Sequence, residues 1–368
     1  MKAAPDAARR IANLAEHRLP LKTQSSRSRV AFRHHVGASG ADTGGARNLM
    51  SKSRRVVLAT IAATLLLSQF TSKAPAAEQP KEIRIGFQKA GIFPAVKQRQ
   101  TLEKVFKEKG VTVRWVEFQF GPPILEAINT GNIDFGYAGD APPIFAQAAR
   151  ANLVYIAAIP SRGFNQGIVV PDNSPIKTLA DLKGKKVGFG KGSSAHNTIV
   201  AALEKVGLTY ADITPVYLNP ADATAAFASG NIDAWSIWDP YLALSEGKQA
   251  RVVAFSKDVQ ESISFFLANK DFTARHPDTV ALFNKTFADE GKWAEANRAD
   301  VAAKLQEATG VDRAATTRAV ERSNYTVVPI SDKIITTQQE TADRFHKLGL
   351  IPKPVQVKDI VWTWTPGS

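Results

Sequence analysis

The tetrapeptide GNID occurs twice, in "LEAINTGNIDFGYAGDAPP" at Gly131–Asp134 and in "ATAAFASGNIDAWSIWDPY" at Gly230–Asp233. Each copy follows a helix-like apolar stretch and leads into a short strand-like run that ends at an aspartate, Asp140 or Asp239. Glycine suits the position after a helix where φ turns positive. The isoleucine belongs in a buried strand, and Asn and Asp satisfy the turn. Matching flanks make this a joint used twice, so the chain should hold two α/β lobes of one plan.

The rest of the sequence follows that plan. From Glu82 it alternates strand and helix: "EIRIGFQ", "VKQRQTLEKVFKEKG", "VTVRWVEF", "PPILEAINTG", "DFGYAG", "APPIFAQAARA", "LVYIAAIP". The pattern restarts with "KVGFGKG", "SAHNTIVAALEKVG", "ITPVYLNP", "ADATAAFASG", "IDAWSIWDP" and "RVVAFSK". Such βαβα order predicts parallel sheets covered by helices on both faces. The extended segments "FNQGIVVP" and "SISFFLANKDF" are the expected crossovers between lobes. The amphipathic helices beyond them should pack back on the first lobe. The expected division is residues 78–165 for lobe 1, 166–265 for lobe 2 and 266–368 for the helical remainder of lobe 1. Lobes hinged this way bind ligands in the cleft and close around them.

Residues 1–77 read differently. Lys52, Arg54 and Arg55 precede an apolar run from Val56 to Leu67, and Ala74-Pro75-Ala76 supplies a small-residue cleavage pattern. This is the layout of a secretory signal, too short to span a bilayer, which needs about 20 residues. "SRRVVL" also resembles a twin-arginine signal, so both export routes stay open. Residues 50–77 are therefore expected to be a signal peptide, with Met50 the start and 1–49 a non-native extension. That reading changes the charge balance. Residues 1–77 hold 13 Lys and Arg against 3 Asp and Glu, leaving 34 against 31 of the chain's 47 and 34 for residues 78–368. A nucleic-acid-binding domain needs a basic footprint in its folded part, and there is none. No Cys occurs, and both Met residues lie in the leader at Met1 and Met50. Residues 78–368 thus contain no sulfur atom, as suits a protein made in quantity when sulfur is scarce.

Two strand-to-helix junctions stand out. In "GYAGDAPP", Asp140 is a suitable N-cap, Ala141 the first helical residue, and Pro142 lies where its missing N–H costs nothing. In "GKGSSAHN", Gly192 allows a tight turn and Ser193 or Ser194 caps the next helix. Helix N-termini carry about half a positive charge and bind anions. The two junctions are read as occupying equivalent places in the two lobes, so that both starts meet across one cleft and hold an anion without Lys or Arg. Ser193 and Ser194 add hydroxyls, while His196 and Asn197 either line the pocket or face solvent. At the carboxyl end of a strand, where ligands bind in open α/β sheets, Trp238 can wall an apolar tail. Asp239 can orient the ligand or cap the helix after Pro240. Gln88, ending the first strand, can donate to an anionic oxygen. Trp235 is read equally as core.

Catalysis and metal binding find little support. "GSSAH" puts Ser and His together, but a triad needs a base oriented by a third group. His196, His276 and His346 are far apart in the sequence, and no metal-ligand spacing occurs. "GFGKGSS" lacks the spacing of a phosphate loop. No cofactor is expected.

With these segments in view, the chain resembles the periplasmic solute-binding proteins of ABC importers for aliphatic sulfonates, relatives of the taurine, nitrate and thiamine-precursor binders. The likeness runs from "IRIGFQKAG" through "GPPILEAINTGNIDFGYAGDAPPIFAQAA" and "DLKGKKVGFGKGSSAHN" to "LNPADATAAFASGNIDAWSIWDPY". It implies a type II periplasmic-binding-protein fold, two α/β lobes joined by two crossover segments. It also implies a monomer in the periplasm that delivers a small organosulfonate to a membrane permease. The anionic head would lie between helix starts mapping to Gly139–Ala141 and Ser193–His196, that is Ser193, Ser194, Ala195 and His196, with Gly192 beside them. Gln88 and Trp238–Asp239 would complete the pocket. Where family members often carry hydroxyl residues beside the Gly-Asp pair, this chain has Ala138 and Ala141, a change that would weaken the hold on a compact sulfonate or make room for a bulkier ligand. Alternatives are a receptor for taurine, a sulfate ester or nitrate, a secreted hydrolase using Ser193 or Ser194, and a chemosensory or structural partner protein.

Overall fold

The structure, a computed structural model, describes residues 79–364, so the leader and the extension lie outside the described residues. The first run comprises β1 (Glu82–Phe87), α1 (Phe93–Arg99), α2 (Thr101–Lys107), β2 (Thr112–Glu117), α3 (Gly121–Asn129), β3 (Phe135–Ala138), α4 (Ala141–Ala148) and β4 (Leu153–Pro160). The second comprises β5 (Gln166–Pro171), β6 (Lys186–Phe189), α5 (Ser194–Lys205), β7 (Thr214–Tyr217), α6 (Pro220–Ala228), β8 (Ala234–Trp238), α7 (Tyr241–Glu246) and β9 (Ala250–Phe255). The chain then returns through β10 (Ile263–Asn269), α8 (Lys270–Arg275), α9 (Pro277–Ala296), α10 (Arg298–Thr309), α11 (Arg313–Arg322) and α12 (Asp332–Lys347). "VKQRQTLEKVFKEKG" is thus two helices, because Gln100 turns left-handed at φ 54°.

Two five-stranded sheets form, in the orders β2-β1-β3-β10-β4 and β7-β6-β8-β5-β9. They are mixed, which corrects the expectation of parallel sheets. The crossover segments β5 and β10 are themselves strands, inserted antiparallel between their neighbours. Aligning the two orders pairs β1 with β6, β2 with β7, β3 with β8, β10 with β5 and β4 with β9. Helices α9 to α11 share a core with the first sheet and α1, through Phe283, Phe287, Val301, Leu305, Ala319 and Val320 against Phe135 and Phe266 of the sheet and Phe93 of α1. α12 packs on the sheet's other face through Ile334, Ala342 and Phe345.

The two GNID joints share their turn and its backbone hydrogen bonds, while the Arg84 guanidinium adds bonds to Asp134 that Lys186 does not make to Asp233. Gly131 and Gly230 have φ of +69° and +70°. Asp134 accepts from Arg84 N–H at 2.7 Å and Asp233 from Lys186 N–H at 2.8 Å, each aspartate tying its strand's entry to the neighbouring strand. Asn132 and Asn231 each donate at 2.9 Å to the hydroxyl two residues before, Thr130 and Ser229. Ile133 and Ile232 are buried over Gly86 of β1 and Gly188 of β6, where a Cβ would collide with them. The joint's function is architectural: it sets β3 against β1, and β8 against β6, at the same height.

Candidate functional site

One cleft collects the ends of the four strands that the repeat pairs. Its volume is about 80 Å³, and Gln88, Gly139, Ser193, Ser194, Trp238 and Asp239 line it. That volume suits a compact head group with a short tail, since one water needs about 10–15 Å³ by the same measure. The strand orders correct the expected symmetry. The counterpart of the α5 start after β6 is the α1 start after β1, and the counterpart of Asp140 after β3 is Asp239 after β8.

The α5 start is the best-equipped donor. The first amides of a helix have no partner within it. Among the described residues, no acceptor meets the N–H groups of Ser194 and Ala195, and Ser194 Oγ has no partner. Ser193 occupies the N-cap by backbone but does not cap, because its Oγ donates back to Gly190 O at 2.7 Å. Gln166 fixes the start from β5, its amide donating to Ser194 O at 3.0 Å and to Thr198 Oγ1. Across the cleft, Gln88 Nε2 makes one long bond to Tyr137 O at 3.3 Å and keeps a second proton unspent. The amides of Gly91 and Ile92, entering α1, also meet no acceptor among the described residues and line the cleft.

The α4 start is different from its expected role. Asp140 accepts from Ala141 N–H at 2.7 Å, and Pro142 and Pro143 have no N–H to offer. Only Gly139 and Asp140 retain amides without an acceptor among the described residues. α4 serves by proximity: a Cβ on Gly139 would lie 2.6 Å from Ser194 Cβ, so the two lobes touch there. Asp140 is buried, and its Oδ2 accepts from Asn197 of α5 at 2.9 Å, a bond between lobes. Burial pushes its carboxyl up to about 6, against the Asn197 and Ala141 hydrogen bonds.

Ala138, Asp140, Ala141, Gly192, Ala195 and His196 do not line the cleft. Ala138 and Ala141 are wholly buried among Ile124, Ile128 and Ile144, so the missing hydroxyls leave no gap in the lining. Gly192 makes its turn at φ +73°. His196 does not face the cleft either. Its Nδ1 accepts from Gly192 N–H at 3.2 Å and its ring lies 5.1 Å from Phe189 and 6.0 Å from Phe145. Burial, then the charge of Lys191, lowers it to about 4, so it stays neutral. Trp238 is half-buried at the cleft while Trp235 is core. Asp239 caps α7, accepting from Ala243 N–H at 2.9 Å.

Sequence reading missed Tyr137, Asn165, Gln166, Ser264 and Ser323–Tyr325, all of which line the cleft. Asn165 and Gln166 open a crossover, where paired amides before an apolar run are a usable signal; the others carry no local one. The lining holds no Lys, Arg or His, and Asp239 is its one charged residue.

Comparison with known proteins agrees with this picture. The family model described as NMT1/THI5 like matches residues 105–301. An Escherichia coli (strain K12) protein with the provisional name aliphatic sulfonates-binding protein is 42% identical over 301 residues, 81% of this chain and 93% of its own length. The chain belongs to the NMT1/THI5-like family. Among solved structures, the alkanesulfonate-binding protein SsuA from Xanthomonas axonopodis pv. citri bound to MOPS matches with a TM-score of 0.74 and 40% identity. It covers 78% of this chain and 100% of the other. The periplasmic aliphatic sulphonate binding protein SsuA from Escherichia coli matches with a TM-score of 0.71 and 40% identity, covering 79% and 94%. The periplasmic-binding-protein fold expected from the sequence is therefore the fold of this family.

Proposed function

We propose that the protein is a periplasmic solute-binding protein that delivers aliphatic or related organosulfonates to an ABC importer for sulfur acquisition. The observation that carries this reading is a cleft between two lobes, lined by unspent neutral donors and without a cationic side chain. A sulfonate stays ionised throughout physiological pH and needs hydrogen-bond donors, not a proton partner. The α5 start supplies Ser194 N–H and Oγ, and Gln88 with the Gly91–Ile92 amides stands opposite. Ile92, Ile159, Trp238 and Tyr325 give the tail an apolar wall. MOPS, which the Xanthomonas relative holds, is itself a propanesulfonate.

The two lobes that close on ligand are residues 79–165 with 263–364, and 166–262; the boundary expected at 265 moves ahead of β10, because that whole strand belongs to the first sheet. The protein works as a monomer beside an inner-membrane permease, and among the described residues no helix is long and apolar enough to cross a membrane. It binds without turnover. Support comes from His196, whose Nδ1 and ring are committed to Gly192 and its aromatic neighbours instead of to either serine. Titration against alkanesulfonates, arylsulfonates, taurine, a sulfate ester, nitrate and a pyrimidine tests the assignment. Micromolar or tighter uptake of sulfonates supports it, and binding of nitrate or the pyrimidine with all sulfonates inert rejects it.

A further inference from the structure

We propose that Arg322 is a clasp between the lobes that sets how tightly ligand is held without touching it, a proposal that rests on the cleft being the ligand site. Arg322 ends α11, whose Ala315, Ala319 and Val320 belong to the first lobe's core. Its guanidinium crosses into the second lobe. Nη2 donates to both carboxylate oxygens of Glu246, at 2.6 and 2.8 Å, and Nη1 stands 3.7 Å from Asp239 Oδ1. The group also covers the Phe255 ring at 5.3 Å. Glu246 and Asp239 end and cap α7, which packs on the second sheet through Leu242. Arg318, one turn back on α11, adds a longer contact to Glu246 at 3.6 Å. The side chains of Arg322 and Glu246 are each 15% exposed, so solvent screens this contact less than the surface pairs.

The socket is continuous with the cleft on both sides. Asp239 and Trp238 line the cleft from one lobe, and Ser323, Asn324 and Tyr325, the residues after Arg322, line it from the other. Shifting Arg322 relative to Glu246 therefore moves both walls. Asp239 Oδ2 and Arg322 Nη1 are buried without a hydrogen-bond partner, so this contact has room to tighten. The repeat supplies the comparison. Asp140, the counterpart of Asp239, also caps its helix with Oδ1, but it reaches the opposite lobe through Oδ2, where Asn197 donates at 2.9 Å, whereas Asp239 meets Arg322 through the capping Oδ1. Each lobe thus offers one aspartate to the other, and the clasp at Asp239 is the ionic one. A ligand that binds the closed form gains from anything that favours closure.

The test uses the full chain, with spin labels on Lys177→Cys and Glu307→Cys, exposed positions of the two lobes in a chain that contains no Cys. MOPS is the probe, and MOPS affinity, its release rate and the inter-label distance with and without MOPS are measured. Arg322→Met should weaken MOPS roughly 10- to 30-fold, mainly through faster release. It should also lengthen the inter-label distance in the unliganded protein. Arg322→Lys should recover part of both effects, because it keeps the charge and loses the fork. Glu246→Gln should act in the same direction as Arg322→Met and serves if that variant fails to fold. Unchanged distance in both variants overturns the clasp, as does weakened MOPS binding with lowered thermal stability at wild-type distance. A wild-type chain that ignores MOPS and other sulfonates overturns the reading of the cleft instead, and the unliganded distances still judge the clasp.

Discussion

The aspartates that follow the two GNID strands hold equivalent positions and do different work. Asp140 is fully engaged: Oδ1 takes Ala141 N–H, Oδ2 takes the Asn197 amide, and Asn197 Oδ1 in turn accepts from Arg344 at 3.1 Å. Asp239 caps α7 with Oδ1, which also stands 3.7 Å from Arg322 Nη1, and leaves Oδ2 buried and unmet. Burial raises both carboxyls, Asp140 to about 6 and Asp239 to about 7, with Arg322 as the main opposing influence on Asp239. A satisfied neutral contact fixes one side of the cleft. An ionic contact with slack makes the other side adjustable.

Removing each aspartate should break the comparison most sharply. Asp140→Ala forfeits a helix cap and strands the Asn197 amide, and should cost about 3–4 kcal/mol in urea unfolding. Asp239→Ala gives up one cap while relieving a buried charge, and should cost only about 1 kcal/mol. Equal losses would mean that the two sites do not differ as their contacts imply.

The Asp140 side also carries an acid-sensitive neighbour. His196 is held at about 4, below its ordinary 6.5, so the unfolded chain binds the extra proton between those values. Its contribution to stability is intact above pH 6.5 and disappears as pH falls towards 4, by about 3 kcal/mol. The two raised carboxyls act oppositely, since the folded state takes up their protons as pH falls from about 7 to 4. His196→Phe should keep the ring packing and lose about 1 kcal/mol at pH 7 with the Gly192 N–H bond. Thermal melts from pH 7 to 4 should show this variant gaining on the wild type as pH falls. A constant difference would contradict the assignment.

Three further substitutions sharpen the account of the shared boundary. Gly139→Ala places a methyl against Ser194 and should weaken sulfonate binding roughly 30-fold by calorimetry, since overpacking of this kind costs about 2 kcal/mol. Ser194→Ala removes a free hydroxyl and should weaken binding about 5-fold. Ser193→Ala, whose hydroxyl is already given to Gly190 O, should leave affinity alone and lower stability by about 1 kcal/mol. The reverse order of the two serines in binding would show that the cleft uses the N-cap hydroxyl.

Much of the fold was legible because the information was local. The glycine turns, the strand–helix alternation and the caps at Asp140 and Asp239 are written within a few residues of where they act. The direction of β5 and β10 was not, because an apolar run such as "GIVV" suits either orientation and its neighbours are distant in sequence. The same limit hid the true pairing of junctions: GNID marks β3 and β8, so it aligns Asp140 with Asp239, not with Ser193. The α4 prolines were visible signs that this helix start lacks donors. Gly91 and Pro94 in "GIFPAV" likewise marked the unread start of α1. For the cleft, one or two residues per junction could be named from position alone, while Ser323–Tyr325 reach it only through the return of α11.

The most direct test of the central claim is a crystal structure with an alkanesulfonate bound. Neutral donors at the α5 start should place a sulfonate oxygen about 2.7–3.2 Å from the N–H group of Ser194, with no Lys or Arg side chain in contact. A head group paired with a lysine or arginine, or seated away from Ser194, would contradict the account.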